Sequence, residues 1–178
     1  MSDPPQLWYF AYGANMSENL FVGRRGMKPE AREAGVLSGF RLAFDLPGIP
    51  LLEPAFANIH PDDIDEVHGV LWRLSPADLD RLDLQEGGGD VYERLPVTVM
   101  GRKSGAVEAI VYRSTRVPHK NRPSRRYVNL LLQGAREVGL DARYLARLEG
   151  VRTYYVPVLS EMSPLVMRAL EWWFTRGR

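Results

Sequence analysis

Apolar and polar positions alternate through the first two thirds of this chain and recur at helical spacing in the last third, so strands should come first and most helices afterwards. Leu7 to Tyr12 is aromatic-rich and reads as a strand ended by Gly13, with a short helix expected over Ser17 to Val22. Gly35 to Asp45 sets Val36, Phe40, Leu42 and Phe44 at even spacing, which predicts a second strand with a bulge or close approach at Gly39. Leu46 to Pro54 holds three prolines and a glycine and is expected to loop out of any ladder. Phe56 to His60 returns as a short strand, and Glu66 to Leu74 is another, carrying Val67, Val70 and Trp72.

A helix start follows, with Ser75 as N-cap, Pro76 in the first helical position and Asp78 in the first turn. Tyr92 to Met100 and Ala106 to Arg113 read as two strands of a hairpin turning at Gly101 to Gly105. Ser124 to Val138 then places Tyr127, Leu131, Ala135 and Val138 on one helical face, stopped by Gly139. Asp141 to Glu149 is a second helix, and a last one, about 163–175, begins at Ser163-Pro164 and buries Val166, Leu170, Trp173 and Phe174. The order predicts an α+β fold, a mixed or mainly antiparallel sheet or small barrel with helices packed on it.

With 178 residues and 45% hydrophobic content, the chain can bury one good core, so residues 1–178 are expected to form a single domain. A formal charge of +1, from 23 basic and 22 acidic residues, gives no global attraction to nucleic acid or anionic membrane. The absence of cysteine excludes disulfides, thiolate nucleophiles and iron–sulfur clusters. The start MSDPPQLWYF has no basic n-region, and no apolar run approaches a membrane span, so a soluble, cytoplasmic protein is the expectation.

Two stretches carry candidate chemistry. In Phe10-Ala11-Tyr12-Gly13-Ala14-Asn15-Met16 an aromatic strand runs into a glycine turn and a helix start, a junction that presents backbone N–H groups to an anion. In Leu82-Asp83-Leu84-Gln85-Glu86-Gly87, a helix continuing from Pro76 puts Leu79, Leu82 and Glu86 on one face. A carboxylate on the core-facing stripe at a helix C-terminus is a better general base than a surface glutamate. Gly87-Gly88-Gly89 would let a ligand approach it closely. The alternative is a helix end whose glutamate points to solvent.

Other features read blandly. His60, His68 and His119 have no ligand spacing, so no metal is expected. Arg116 to Arg126 lacks the aromatic interleaving of a nucleic-acid patch and reads as a solvated loop that could draw carboxylate-bearing peptides toward a pocket. Trp172-Trp173-Phe174 reads as a core helix face whose outward residue could serve a homodimer contact.

The two stretches above, together with Val67-His68-Gly69-Val70-Leu71-Trp72, Tyr92 and Gln133-Gly134-Ala135-Arg136-Glu137-Val138-Gly139-Leu140, resemble the γ-glutamylcyclotransferase family, in the family's order and over about residues 7 to 150. The resemblance implies a barrel-like mixed fold, a lyase reaction that releases 5-oxoproline from γ-glutamyl compounds, and a place in glutathione metabolism. It assigns the general base to Glu86 and a place near the substrate to Tyr127, while Tyr12, Gly13, Ala14 and Asn15 form the opposite wall. No metal or other cofactor is implied, because the nucleophile is the substrate's own tethered amine. Relatives that cut γ-glutamylamines or remove a γ-glutamyl protecting group, and non-catalytic binding members, are the alternatives within the fold. The family's usual Tyr-Gly-Ser-Asn stands here as Tyr-Gly-Ala-Asn, so Ala14 keeps the N–H and loses a hydroxyl, which implies reduced activity or altered substrate choice.

Overall fold

The computed structural model describes residues 7–49, 52–86, 91–116, 118 and 120–154. Its strands are β1 (Leu7–Ala11), β2 (Ala31–Ile49), β3 (Glu53–Leu74), β4 (Glu93–Gly101) and β5 (Gly105–Arg113), and they close into a barrel in the order β1-β3-β2-β4-β5. β1 supplies the closure. It pairs antiparallel with β3, from Leu7 opposite Leu74 to Ala11 opposite Val70, and parallel with β5, from Trp8 opposite Ala109 to Phe10 opposite Val111. The remaining pairings are antiparallel, so the mixed, mainly antiparallel barrel is as expected.

Two expectations need correction. β2 and β3 form one long hairpin, where shorter strands and a proline loop were expected: Leu46 lies opposite Phe56, Pro47 opposite Ala55 and Ile49 opposite Glu53. The prolines are tolerated because this end of the hairpin is a two-stranded ribbon, with β2 and β3 as each other's only strand partners among the described residues. An outward-facing edge position needs no N–H. Gly39, at φ 81°, marks the register break between Ser38 and Phe40, as expected of a bulge. The helix expected over Ser17 to Val22 is instead a 3₁₀ turn, Ala14–Met16, followed by a π-helical segment, Asn19–Arg24.

Helices α1 (Pro76–Gln85), α2 (Arg125–Glu137) and α3 (Ala142–Glu149) begin at side-chain caps. Ser75 Oγ accepts from Asp78 N at 3.2 Å and Ser124 Oγ from Tyr127 N at 3.0 Å. A buried carboxylate on β3 fixes the second cap, since Glu53 accepts from both Ser124 N (2.8 Å) and Ser124 Oγ (2.5 Å). The core runs through the barrel and under α2, and includes Phe10, Leu71, Trp72, Val99, Val111 and Leu131, all at most 1% exposed. Burial of each such side chain is worth about 1.5–3 kcal/mol. Phe21, from the π-helical segment, stacks on Trp72 at 4.8 Å and on Tyr9 at 5.7 Å, which docks that segment against β1 and β3.

α2 lies unusually close to the turn after β1. A Cβ on Gly134 would stand 2.4 Å from the backbone carbon of Met16, so only glycine lets the helix approach this far. Gly87 to Gly89 and the helix expected at about 163–175, with Trp172 to Phe174, lie outside the described residues. Among the described residues no helix is long and apolar enough to cross a membrane.

Candidate active site

α1 delivers the carboxylate. Leu79 and Leu82 are buried at 1% and 0% exposure, and Glu86, capping the helix through N–H bonds to Leu82 O and Asp83 O, stands on the same face with its side chain 12% exposed. The side chain therefore lies inward, as the helical spacing predicts. Glu86 Oε1 accepts from Asn15 Nδ2 at 3.1 Å and from Arg25 Nη1 at 2.8 Å. Among the described residues Oε2 has no hydrogen-bond partner.

Asn15 joins the two predicted stretches. Its amide also donates to Tyr9 Oη at 2.9 Å, and its backbone carbonyl accepts from the Trp72 indole at 3.0 Å. Sequence reasoning assigned Asn15 only a backbone N–H. The side-chain bridge to Glu86 across 71 positions is what the fold adds.

Tyr12, Gly13, Ala14, Asn15, Glu86 and Tyr127 all line one cavity of about 580 Å³. Tyr12 contributes mainly a ring wall, because its hydroxyl donates to the Tyr112 carbonyl at 2.7 Å. Tyr127 Oη accepts from Ala57 N at 3.1 Å and would stand 3.2 Å from a Cβ on Gly13. Burial pushes its hydroxyl well above the usual phenol range, with the nearby Glu53 and Glu86 charges adding to the shift and the Ala57 and Ala14 N–H groups opposing it. It is a phenol, and a donor, at neutral pH. Burial likewise raises Tyr9 and Tyr92, each with a further push from Glu86.

Several cavity residues escaped sequence reasoning. Arg25 sits beside the glycine-flanked Arg24, and nothing local separates it from a solvated pair; its signal exists only through Glu86, 61 positions away. Leu46, Pro47 and Ile49, from the stretch expected to loop, and Phe56, from the strand expected after it, form an apolar wall. Tyr92, expected at the start of a strand, lines the cavity, and Arg116 brings the start of the basic segment to it. His60 pairs with Asp45 at 2.7 Å, His68 with Glu66 at 2.8 Å while stacking on Tyr144, and His119 lies outside the described residues.

Asp83 lies one turn before Glu86. It accepts from Arg94 Nε at 2.7 Å and from the Tyr112 hydroxyl, which ties the end of α1 to β4 and β5. The helix end that presents Glu86 is thereby anchored to the barrel.

A family model described as the AIG2-like family matches residues 66–148. A γ-glutamyl cyclotransferase, gliK, of Claviceps purpurea is 32% identical over 172 residues, which cover 91% of this chain and 72% of the relative. The γ-glutamylcyclotransferase of Bos taurus is 30% identical over 176 residues, covering 93% of this chain and 90% of the relative. A solved structure of a γ-glutamyl cyclotransferase superposes with a TM-score of 0.77 at 23% identity, over 94% of this chain and 99% of that one, a likeness of fold.

Proposed function

The chain belongs to the γ-glutamylcyclotransferase and AIG2-like family, and on that premise we propose that it releases 5-oxoproline from γ-glutamyl amino acids or peptides, with Glu86 as the general base. The observation that carries the reading is a carboxylate with one oxygen held and the other unpartnered, in a cavity it shares with the Gly13 to Asn15 turn. A volume of about 580 Å³ lies within the ordinary range for small-molecule sites and exceeds what a γ-glutamyl group alone would fill.

The chemistry follows from the substrate. An α-ammonium is no nucleophile at neutral pH, so Glu86 draws it in and takes a proton. The free amine attacks the γ-carbonyl carbon and closes a five-membered ring. Backbone N–H groups of Gly13, Ala14 and Asn15, with the Tyr127 hydroxyl, are the proposed donors to the oxyanion and to the substrate's α-carboxylate. Collapse breaks the γ C–N bond, and the leaving amine departs as an ammonium with the two protons shed by the nucleophile, relayed by Glu86. No water is consumed.

Purified protein incubated with γ-glutamyl dipeptides is expected to yield 5-oxoproline, and Glu86→Gln to lower the rate by at least a hundredfold. Full activity in that variant would remove Glu86 from the mechanism. The apolar wall of Leu46, Pro47, Ile49 and Phe56 favours a second reading, in which the leaving group is a larger apolar amine than an ordinary amino acid. Rates across amines of increasing size separate the two.

A further inference from the structure

Two donors from different parts of the chain converge on a single oxygen of Glu86. Arg25 Nη1 reaches Oε1 at 2.8 Å and Asn15 Nδ2 reaches the same atom at 3.1 Å. Arg25 is itself fixed at several points. Its backbone N–H donates to Leu20 O at 2.9 Å, its carbonyl accepts from Gln85 Nε2 at 3.3 Å, and its Nη1 also donates to Gln85 Oε1 at 3.3 Å. The end of α1 and the end of the π-helical segment are clamped reciprocally, main chain and side chain together.

A carboxylate at a helix C-terminus faces unsatisfied carbonyl groups and the negative end of the macrodipole. Glutamate also has three rotatable bonds through which to swing away. A planar guanidinium offsets the first problem and, with Asn15, removes the second. We infer that Arg25 is a positioning residue for Glu86: with Asn15 it pins Oε1, so that Oε2 is the atom presented to the substrate's α-ammonium. This rests on reading Glu86 as the base.

The test compares Arg25→Gln and Arg25→Lys with the parent protein, measuring 5-oxoproline release as a function of substrate concentration together with each variant's melting temperature. Arg25→Gln is expected to lose about tenfold to a hundredfold in kcat, with KM within about twofold. Arg25→Lys keeps a point charge and should recover part of kcat. A rise in KM at unchanged kcat would mean that Arg25 grips the substrate directly and would overturn the inference, as would parental kcat and KM in both variants. If Arg25→Gln melts below the assay temperature, Arg25→Lys decides, since a KM-only effect there gives the same refutation. Glu86→Gln run in parallel separates the two levels. Activity surviving that change defeats the reading of Glu86, whereas its loss beside an unaffected Arg25→Gln defeats only the positioning role.

Discussion

The Tyr127 hydroxyl, at the first helical turn of α2, is shared between two walls of the cavity. It takes the Ala57 N–H from β3 and crowds the Gly13 position of the turn after β1. Tyr127→Phe leaves the Ala57 N–H unpaired at a buried site, which should cost about 1–3 kcal/mol in denaturant unfolding. It should also lower kcat/KM, because a proposed donor to the oxyanion goes with it. A variant with parental stability would show that water replaces the bond. At this scale much of the candidate site was legible in the sequence: Gly13, Ala14, Asn15 and Glu86 lie in short, chemically pointed stretches. Arg25 was not. Its importance is a pairing between distant segments, and neither partner's neighbourhood announces the other.

α2 meets the 3₁₀ turn at Gly134, and the same turn carries Ala14 and Asn15. In Gly134→Ala the added carbon would sit 2.4 Å from a Met16 backbone atom, so either the helix or the turn must shift. Overpacking of this kind costs about 1–3 kcal/mol, and turnover should fall further than stability does, because the displaced turn holds the proposed oxyanion donors. Melting curves beside 5-oxoproline assays check both parts, and unchanged kcat at reduced stability would separate the turn from the chemistry. Elements were unevenly legible. Ser75-Pro76 and Ser124 announce their helices through local capping chemistry, which any reader of sequence can use. The β2–β3 hairpin was missed as a unit because Pro47 and Pro54 read as breakers. Only the pairing pattern reveals that their sides of the ribbon need no donor.

Across the molecule, three carboxylates among the described residues have lowered pKa and tie separate parts together. Asp65 on β3 is lowered chiefly by its hydrogen bonds from Arg147 of α3. For Asp83 burial pushes upward, but hydrogen bonds from Arg94 and Tyr112 outweigh it. Glu33 on β2 behaves likewise, with Ser104 and the Lys103 and Ser104 N–H groups of the β4–β5 turn prevailing over desolvation. In each case the unfolded chain binds the proton more readily, so the stabilisation is complete above the ordinary carboxylate range, near pH 4, and is lost as pH falls through and below it. Unfolding midpoints measured from pH 7 down to pH 3 should be level at first and then fall, with a shallower fall in Asp83→Asn. A midpoint that rises on acidification would contradict the assignment.

The barrel closes through β1, whose parallel neighbour β5 is made about a hundred residues later, and the bond from Tyr12 to the Tyr112 carbonyl spans 100 positions. Contacts so distant in sequence cost loop-closure entropy before they return anything, and they slow folding. During synthesis the Leu-Trp-Tyr-Phe-Ala segment must therefore wait without its parallel partner until Gly105 to Arg113 has emerged. The part of the chain that carries the cavity's glycine turn is made early and seated late, so the cavity comes into being only when the barrel shuts.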